Sequence, residues 1–163
     1  MTVVLEEKLY FLIIFAVLYG LIFINYIDIL TSGYGFHLWL IAMYFLPFIG
    51  FSIFNFKNWK LTIGLGLIAS LMDDVFYNII RYLIGIHINL SRYYDLWLIP
   101  QNVPLFNFNL GFVIIPVTSW MMAFSIYIRI AVTYVLLKDW KYHCIICKHP
   151  IAYAVKNQGQ VKV

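Results

Sequence analysis

Two adjacent carboxylates, Asp73 and Asp74, stand inside an otherwise apolar stretch of the chain. Asn78 and Arg81 follow Asp74 at spacings of four and seven residues, so a helix would place these three side chains on one face. Asp73 would share a neighbouring face with Tyr77, about 100° away around the helix. Because adjacent side chains of a helix diverge, a second helix is needed for the two carboxylates to hold one ion.

Two interpretations of this polar cluster are open. In the first, Asp74 pairs with Arg81 through Asn78, and the cluster is a self-neutralising structural stripe. In the second, the cluster lines a polar cavity that is open to the outside, and the two carboxylates carry a proton or bind a metal. A charged side chain costs roughly 2.5–3.5 kcal/mol at the centre of a bilayer on insertion scales, so a chain that keeps several must place them against partners or water.

Further polar residues are expected near the outer half of the same region. The candidates for contributing to the cluster are Asn25 and Asp28 near the end of the first apolar run, His37 at the start of the second, and His87, Arg92 and Asp95 in the outer connection. Each of them is also compatible with a place at the membrane interface in contact with water. The candidate site is assigned to Asp73, Asp74, Tyr77, Asn78, Arg81, Asp28 and His37. Arg129 lies about two turns from the inner end of the last apolar run. Its long side chain either reaches the inner headgroups or pairs with another helix, and we favour the headgroups.

A second motif lies near the end of the sequence, where Cys144 and Cys147 are separated by two residues and His149 follows. This spacing is typical of half a zinc site, with Cys144, Cys147 and His149 as candidate ligands. The same spacing occurs in redox pairs, and two reduced thiols without a metal are equally compatible with it. If zinc binds, the remaining ligands must come from a second copy or a partner.

The composition shows which solvent surrounds these residues. Of 163 residues, 64% are hydrophobic and only 11% are charged, whereas soluble domains are about half apolar and a quarter charged. The mean hydropathy is +0.88. These values exclude a disordered chain, a disulfide scaffold and an ordinary soluble enzyme. The net charge of +4 comes from basic residues beside apolar runs, which indicates contact with anionic lipid rather than with nucleic acid.

Four apolar runs are long enough to cross a hydrocarbon core of roughly 30 Å as helices. The chain is therefore predicted to be an all-α polytopic membrane protein with a four-helix transmembrane domain over residues 1–138. The remaining residues, 139–163, are predicted to form a polar cytoplasmic tail. The expected helices cover residues 9–30, 36–56, 61–86 and 108–137.

The connection between the third and fourth runs is predicted to hold a short helix on the membrane surface. Its Tyr93, Tyr94 and Trp97 have the pattern of an interfacial aromatic belt. Lysines dominate one side of the predicted topology, and Arg92 and Arg81 stand on the other. The positive-inside rule then predicts a multi-pass protein of the cell membrane with both termini in the cytoplasm.

The sequence favours a non-enzymatic accessory or assembly subunit of a larger membrane complex, or a self-associating bundle. Its acidic cluster would serve structure or the passage of ions or protons. The alternative is a membrane-embedded, metal-dependent enzyme that acts on a lipid or isoprenoid substrate. In that case Asp73 and Asp74 would hold the metal, and Arg81 or Arg92 would bind an anionic headgroup. The sequence predicts the bilayer and other membrane subunits as partners.

Overall fold

A computed structural model describes residues 2–31, 37–54, 56–109 and 114–148, and within these ranges it gives only the backbone for residues 2–7, 37, 38, 54, 57, 106, 108, 109 and 143–148. Most of this part is helical. The helices are α1 (Thr2–Leu18), α2 (Asn25–Thr31), α3 (His37–Phe45), α4 (Ile49–Phe54), α5 (Trp59–Leu83), α6 (Leu90–Leu98) and α7 (Ser119–Lys148). The strands β1 (Pro104–Asn109) and β2 (Ile114–Thr118) form an antiparallel pair.

Three helical segments are long and apolar enough to cross a membrane. They are Lys8–Thr31, Trp59–Leu83 and Ser119–Tyr142. The second predicted run instead forms a shorter apolar helical segment, Trp39–Ile53. A tight turn at Leu46–Phe48, which contains Pro47, divides this segment into α3 and α4, because proline lacks the N–H that an uninterrupted helix requires.

The first segment is continuous but contains one wider turn, Tyr19–Ile24, in which hydrogen bonds span five residues. The side-chain amide of Asn25 donates to the Gly20 carbonyl at 3.0 Å and thereby supports this turn. Gly20 packs directly against the backbone of Ala69 on α5. A Cβ at Gly20 would lie 2.2 Å from the Ala69 carbonyl oxygen, so the close approach of the two helices depends on glycine.

Helix α5 lies at the centre of the described part and contacts the other long segments. It ends where Gly85 adopts a positive φ of 91°. There the Ile86 amide bonds to the Arg81 carbonyl and the Gly85 amide to the Tyr82 carbonyl. These two bonds are the pattern of a helix end that glycine permits. The third predicted helix, 61–86, is thus present in slightly shifted form.

The expectation of a helix from residue 108 was wrong, because the chain forms β1 and β2 before α7 begins at Ser119. Pro116 cannot donate to a helical ladder, and its β-branched neighbours favour extended backbone. The helix then begins at a specific signal. The Thr118 hydroxyl accepts a bond from the Met121 amide at 3.4 Å, which is the geometry of an N-terminal cap.

At its other end, α7 continues beyond the boundary predicted at residue 138 and reaches Lys148. Cys144 and Cys147 therefore lie on helical backbone, three residues apart and on the same face. His149 lies outside the described residues. The predicted zinc site at this motif stays a prediction.

The expected short helix in the connection is present as α6. Its first turn is capped by Asn89, whose side chain accepts from the Arg92 amide at 3.1 Å. This helix and the strands lie at the end of α5 that carries Arg81. Lys60 and Asp139 form an ion pair at the opposite end. This pair and the contact of Trp140 with Asn58 show that α7 runs antiparallel to α5.

Candidate functional site

A cavity of about 890 Å³ lies beside the Arg81 half of α5, between that helix, α3, α7 and the covering α6 and strands. Such a volume falls within the range of sites for small organic molecules. The cavity is where the polar residues of several elements meet. Its charged and hydrogen-bonding lining includes Asp28, Tyr44, Ser70, Asp73, Asp74, Tyr77, Asn78, Arg81, Tyr93 and Arg129.

Asp73 is the most deeply buried acidic residue of this lining, with 2% of its surface exposed. The Tyr44 hydroxyl of α3 donates to its Oδ2 at 2.7 Å. Its other oxygen, Oδ1, is buried and has no hydrogen-bond partner. Since buried polar atoms are nearly always paired, this oxygen can accept a donor or bear a proton that the described side chains do not supply.

Asp74 forms an ion pair with Arg129 of α7. The same guanidinium donates to the Ser70 hydroxyl at 3.1 Å, so Arg129 joins α5 and α7 inside the protein. The favoured expectation that Arg129 reaches the inner headgroups was therefore wrong, and the alternative of a pairing with another helix is what the structure contains. The side chains of Asp74 and Arg129 are only 22% and 17% exposed, respectively. The Asp74 carboxylate neutralises the Arg129 guanidinium, which would otherwise need water around it.

Arg81 occupies a different place from the one expected for a partner of Asp74. It donates to the Asn78 side chain at 3.4 Å and lies over the Tyr77 ring, 5.3 Å from its centroid. Arg81, Asn78 and Tyr77 all line the cavity. Of the predicted link from Arg81 through Asn78 to Asp74, the contact between Arg81 and Asn78 is present. Asp74 instead forms its ion pair with Arg129 on another helix.

The candidates from the first two apolar runs have different outcomes. Asp28 of α2 lines the cavity together with Asp73 and Tyr44. The acidic cluster thus draws on two helical segments. His37 is the first residue of α3, but its side chain lies outside the described part, so its role stays a prediction.

Helix α6 is hydrogen-bonded onto both long helices and covers the cavity. Tyr94 donates to the Val75 carbonyl at 2.7 Å, and Tyr127 of α7 donates to the Leu98 carbonyl at 2.9 Å. Tyr93 and Trp97 turn toward the cavity with ring centroids 4.6 Å apart. Burial raises the pKa of the Tyr93 phenol above its usual value, and the Asp74 charge raises it further, so this hydroxyl stays protonated and able to donate.

No family model matches this chain, and no curated protein or solved structure matches it either.

Tyr44 and Ser70 also line the cavity, although no spacing pattern in the sequence indicates them. Each carries a hydroxyl within an apolar run, and this is the signal by which they could have been found. Their partners are Asp73 and Arg129, which stand 29 and 59 residues away along the chain. Spacing within one helix cannot reveal such contacts.

Among the described residues, no three His, Cys, Asp or Glu side chains converge in a way that could hold a metal ion. Of the two adjacent carboxylates, Asp74 forms an ion pair with Arg129, and Asp73 has one buried oxygen without a hydrogen-bond partner. Aromatic and aliphatic side chains surround them. The arrangement is suited to binding a molecule that has a polar group and an apolar portion.

Proposed function

We propose that this chain is a small, non-enzymatic integral membrane protein that binds an amphipathic small molecule in the cavity beside α5. The observation that carries this proposal is the cavity itself, which combines a buried, half-paired carboxylate with an apolar lining. A self-neutralising structural stripe would need neither the space nor the unpaired oxygen.

The protein would act as an accessory or assembly subunit of a larger membrane complex, or as a self-associating bundle. Support comes from the broad aromatic face of α7, on which large side chains are exposed. They include Trp120, Phe124, Tyr127 and Tyr134, each more than half exposed. Lipid or a neighbouring subunit must cover such a surface.

We further propose that α3 and α4 together make a fourth crossing. His37–Phe54 would span about 27 Å at about 1.5 Å per residue, close to the roughly 30 Å of a hydrocarbon core. The segment runs antiparallel to α5, since Tyr44 meets Asp73 and Phe48 meets Thr62. With four crossings, both termini lie on the lysine-rich side, which the positive-inside rule assigns to the cytoplasm.

This topology predicts that the connection between α5 and α7 is outside. An engineered Asn102→Cys, in a background with Cys144→Ser and Cys147→Ser, should react with an impermeant maleimide in intact cells. The natural chain is the matched control, because its only two cysteines are Cys144 and Cys147. They should react only after permeabilisation. The opposite pattern for the two proteins would reverse the orientation.

Occupancy of the cavity can be tested by narrowing it. Ser125 of α7 lines the cavity, whereas Ile128 on the same helix is 46% exposed and outside the lining. We expect native mass spectrometry to show a bound small molecule on the natural protein and on Ile128→Phe, with loss of at least 80% of that adduct on Ser125→Phe. Equal adducts on all three proteins would contradict binding in this cavity.

The enzyme alternative retains the same acidic residues, with Asp28 as a contribution from a second helical segment. It predicts that the purified protein contains about one equivalent of a divalent metal and that Asp73→Asn removes it. Elemental analysis of both proteins would decide the matter. A metal content that depends on Asp73 would favour the enzyme over the binding subunit.

A further inference from the structure

The cavity lining contains more carboxyl groups than guanidinium groups. Asp28, Asp73 and Asp74 line it together with Tyr44, and the two arginines of the lining are Arg81 and Arg129. Arg129 faces the same region, but its guanidinium is held by Asp74 and by the Ser70 hydroxyl. Among the described residues near Asp73, carboxyl groups therefore outnumber guanidinium groups.

Within this acidic region, the unpaired oxygen of Asp73 is the atom at which a donor would bind. Tyr44 satisfies Oδ2, and Oδ1 remains buried without a partner. A carboxylate in such surroundings is stabilised best by a charged donor, because a hydrogen bond to an ionised group is roughly twice as strong as a neutral one. Arg81 is not that donor in this arrangement, since it lies over Tyr77 and eight residues along α5, about 12 Å at about 1.5 Å per residue.

The other side chains of the lining indicate what kind of ligand would fit beside Asp73. Tyr44, Tyr93 and Trp97 provide aromatic rings, whose faces attract organic cations. Leu40, Leu67 and Met122 provide apolar surface. A metal ion would instead need several converging ligands of a kind that the described residues do not provide.

We infer that the cavity binds a protonated organic amine with an apolar chain, and that Asp73 is its counter-ion. This inference rests on the proposed binding function and specifies its ligand class. The ammonium group lies against Oδ1 of Asp73, and the chain extends along the apolar lining toward α6 and the strands.

Three probes with the same chain length and different charge test the inference: hexylammonium, hexanol and hexanoate. We expect calorimetric titration of the natural protein in dodecyl maltoside to give an affinity for hexylammonium at least tenfold above that for hexanol. Hexanoate should bind more weakly than hexanol. This comparison uses the unaltered protein and so does not depend on any variant folding.

The Asp73→Asn variant should lower the affinity for hexylammonium at least tenfold and leave that for hexanol within twofold. Asp95→Asn is the matched control, because Asp95 is exposed on α6 and outside the cavity lining. It should bind all three probes like the natural protein.

The outcomes separate the two proposals. Equal binding of hexylammonium and hexanol by the natural protein, tighter binding of hexanoate, or undiminished binding of hexylammonium by Asp73→Asn would each overturn the amine inference, while the cavity would remain a binding site. Absence of binding by all three probes to the natural protein would contradict the proposed function as well.

Discussion

Replacing Gly20 by alanine should destabilise the protein by about 3 kcal/mol, at the upper end of what overpacking of a core costs. The added Cβ would lie 2.2 Å from the Ala69 carbonyl oxygen and 2.8 Å from its Cα. Both atoms belong to backbone, so the clash can be relieved only by separating the first helical segment from α5. Unfolding in a titration with sodium dodecyl sulfate measures the change in free energy.

Two other glycines provide graded controls for this prediction. A Cβ at Gly64 would meet the flexible end of Leu137 at 2.7 Å, and one at Gly50 would meet nothing within 4 Å. Gly64→Ala should therefore cost less than Gly20→Ala. Gly50→Ala should be neutral or stabilise by up to about 1 kcal/mol through helix propensity. Equal effects at all three positions would show that the close approach at Gly20 is not what holds the helices together.

The second large effect is expected at the ion pair between α5 and α7. Arg129→Gln leaves the partly buried Asp74 without its charged partner, and breaking such a pair typically costs about 3–5 kcal/mol. We expect a loss near the lower value, since both side chains keep some exposure. The double variant with Asp74→Asn should recover at least half of that loss, and the same titration measures it.

Arg81→Gln is the control for charge alone. Arg81 bonds to Asn78 on its own helix, and in the described part of the chain it bonds to no other helix, so its replacement should cost about 1 kcal/mol or less. If Arg81→Gln were as damaging as Arg129→Gln, or if the double variant lost as much as the two single variants summed, Asp74 and Arg129 would not form a coupled pair.

The sequence predicted most of what depends on local pattern. Long apolar runs identify helices that fit a bilayer, and the aromatic pattern around Trp97 identified α6. The same criterion failed at residues 108–118, because an apolar run that contains Pro116 and β-branched residues reads equally well as helix or strand. The cap formed by Thr118 was the available signal for where α7 begins.

Six of the seven residues selected from the sequence line one cavity, namely Asp28, Asp73, Asp74, Tyr77, Asn78 and Arg81, but their contact partners were harder to predict. Asp73, Asp74, Tyr77, Asn78 and Arg81 lie on one helix, and their spacing places them together. Which partner each acquires depends on how helices pack, and this is not encoded in spacing. The pairing of Asp74 with Arg81, one of the two open interpretations, is therefore replaced by a pairing with Arg129, and Tyr44, which contacts Asp73 from α3, was missed.

The paired strands before α7 also determine how the protein sits in a bilayer. Each strand of the described pair has an outer edge of backbone groups that no other described strand covers, and hydrocarbon offers such groups no partners. The pair must therefore stay in water or among headgroups. Helix α5, with 25 residues, extends about 37 Å at about 1.5 Å per residue, longer than a hydrocarbon core of roughly 30 Å. If α5 crosses a bilayer thinner than its own length, it must tilt or protrude, and we therefore expect membrane thickness to influence where this protein accumulates.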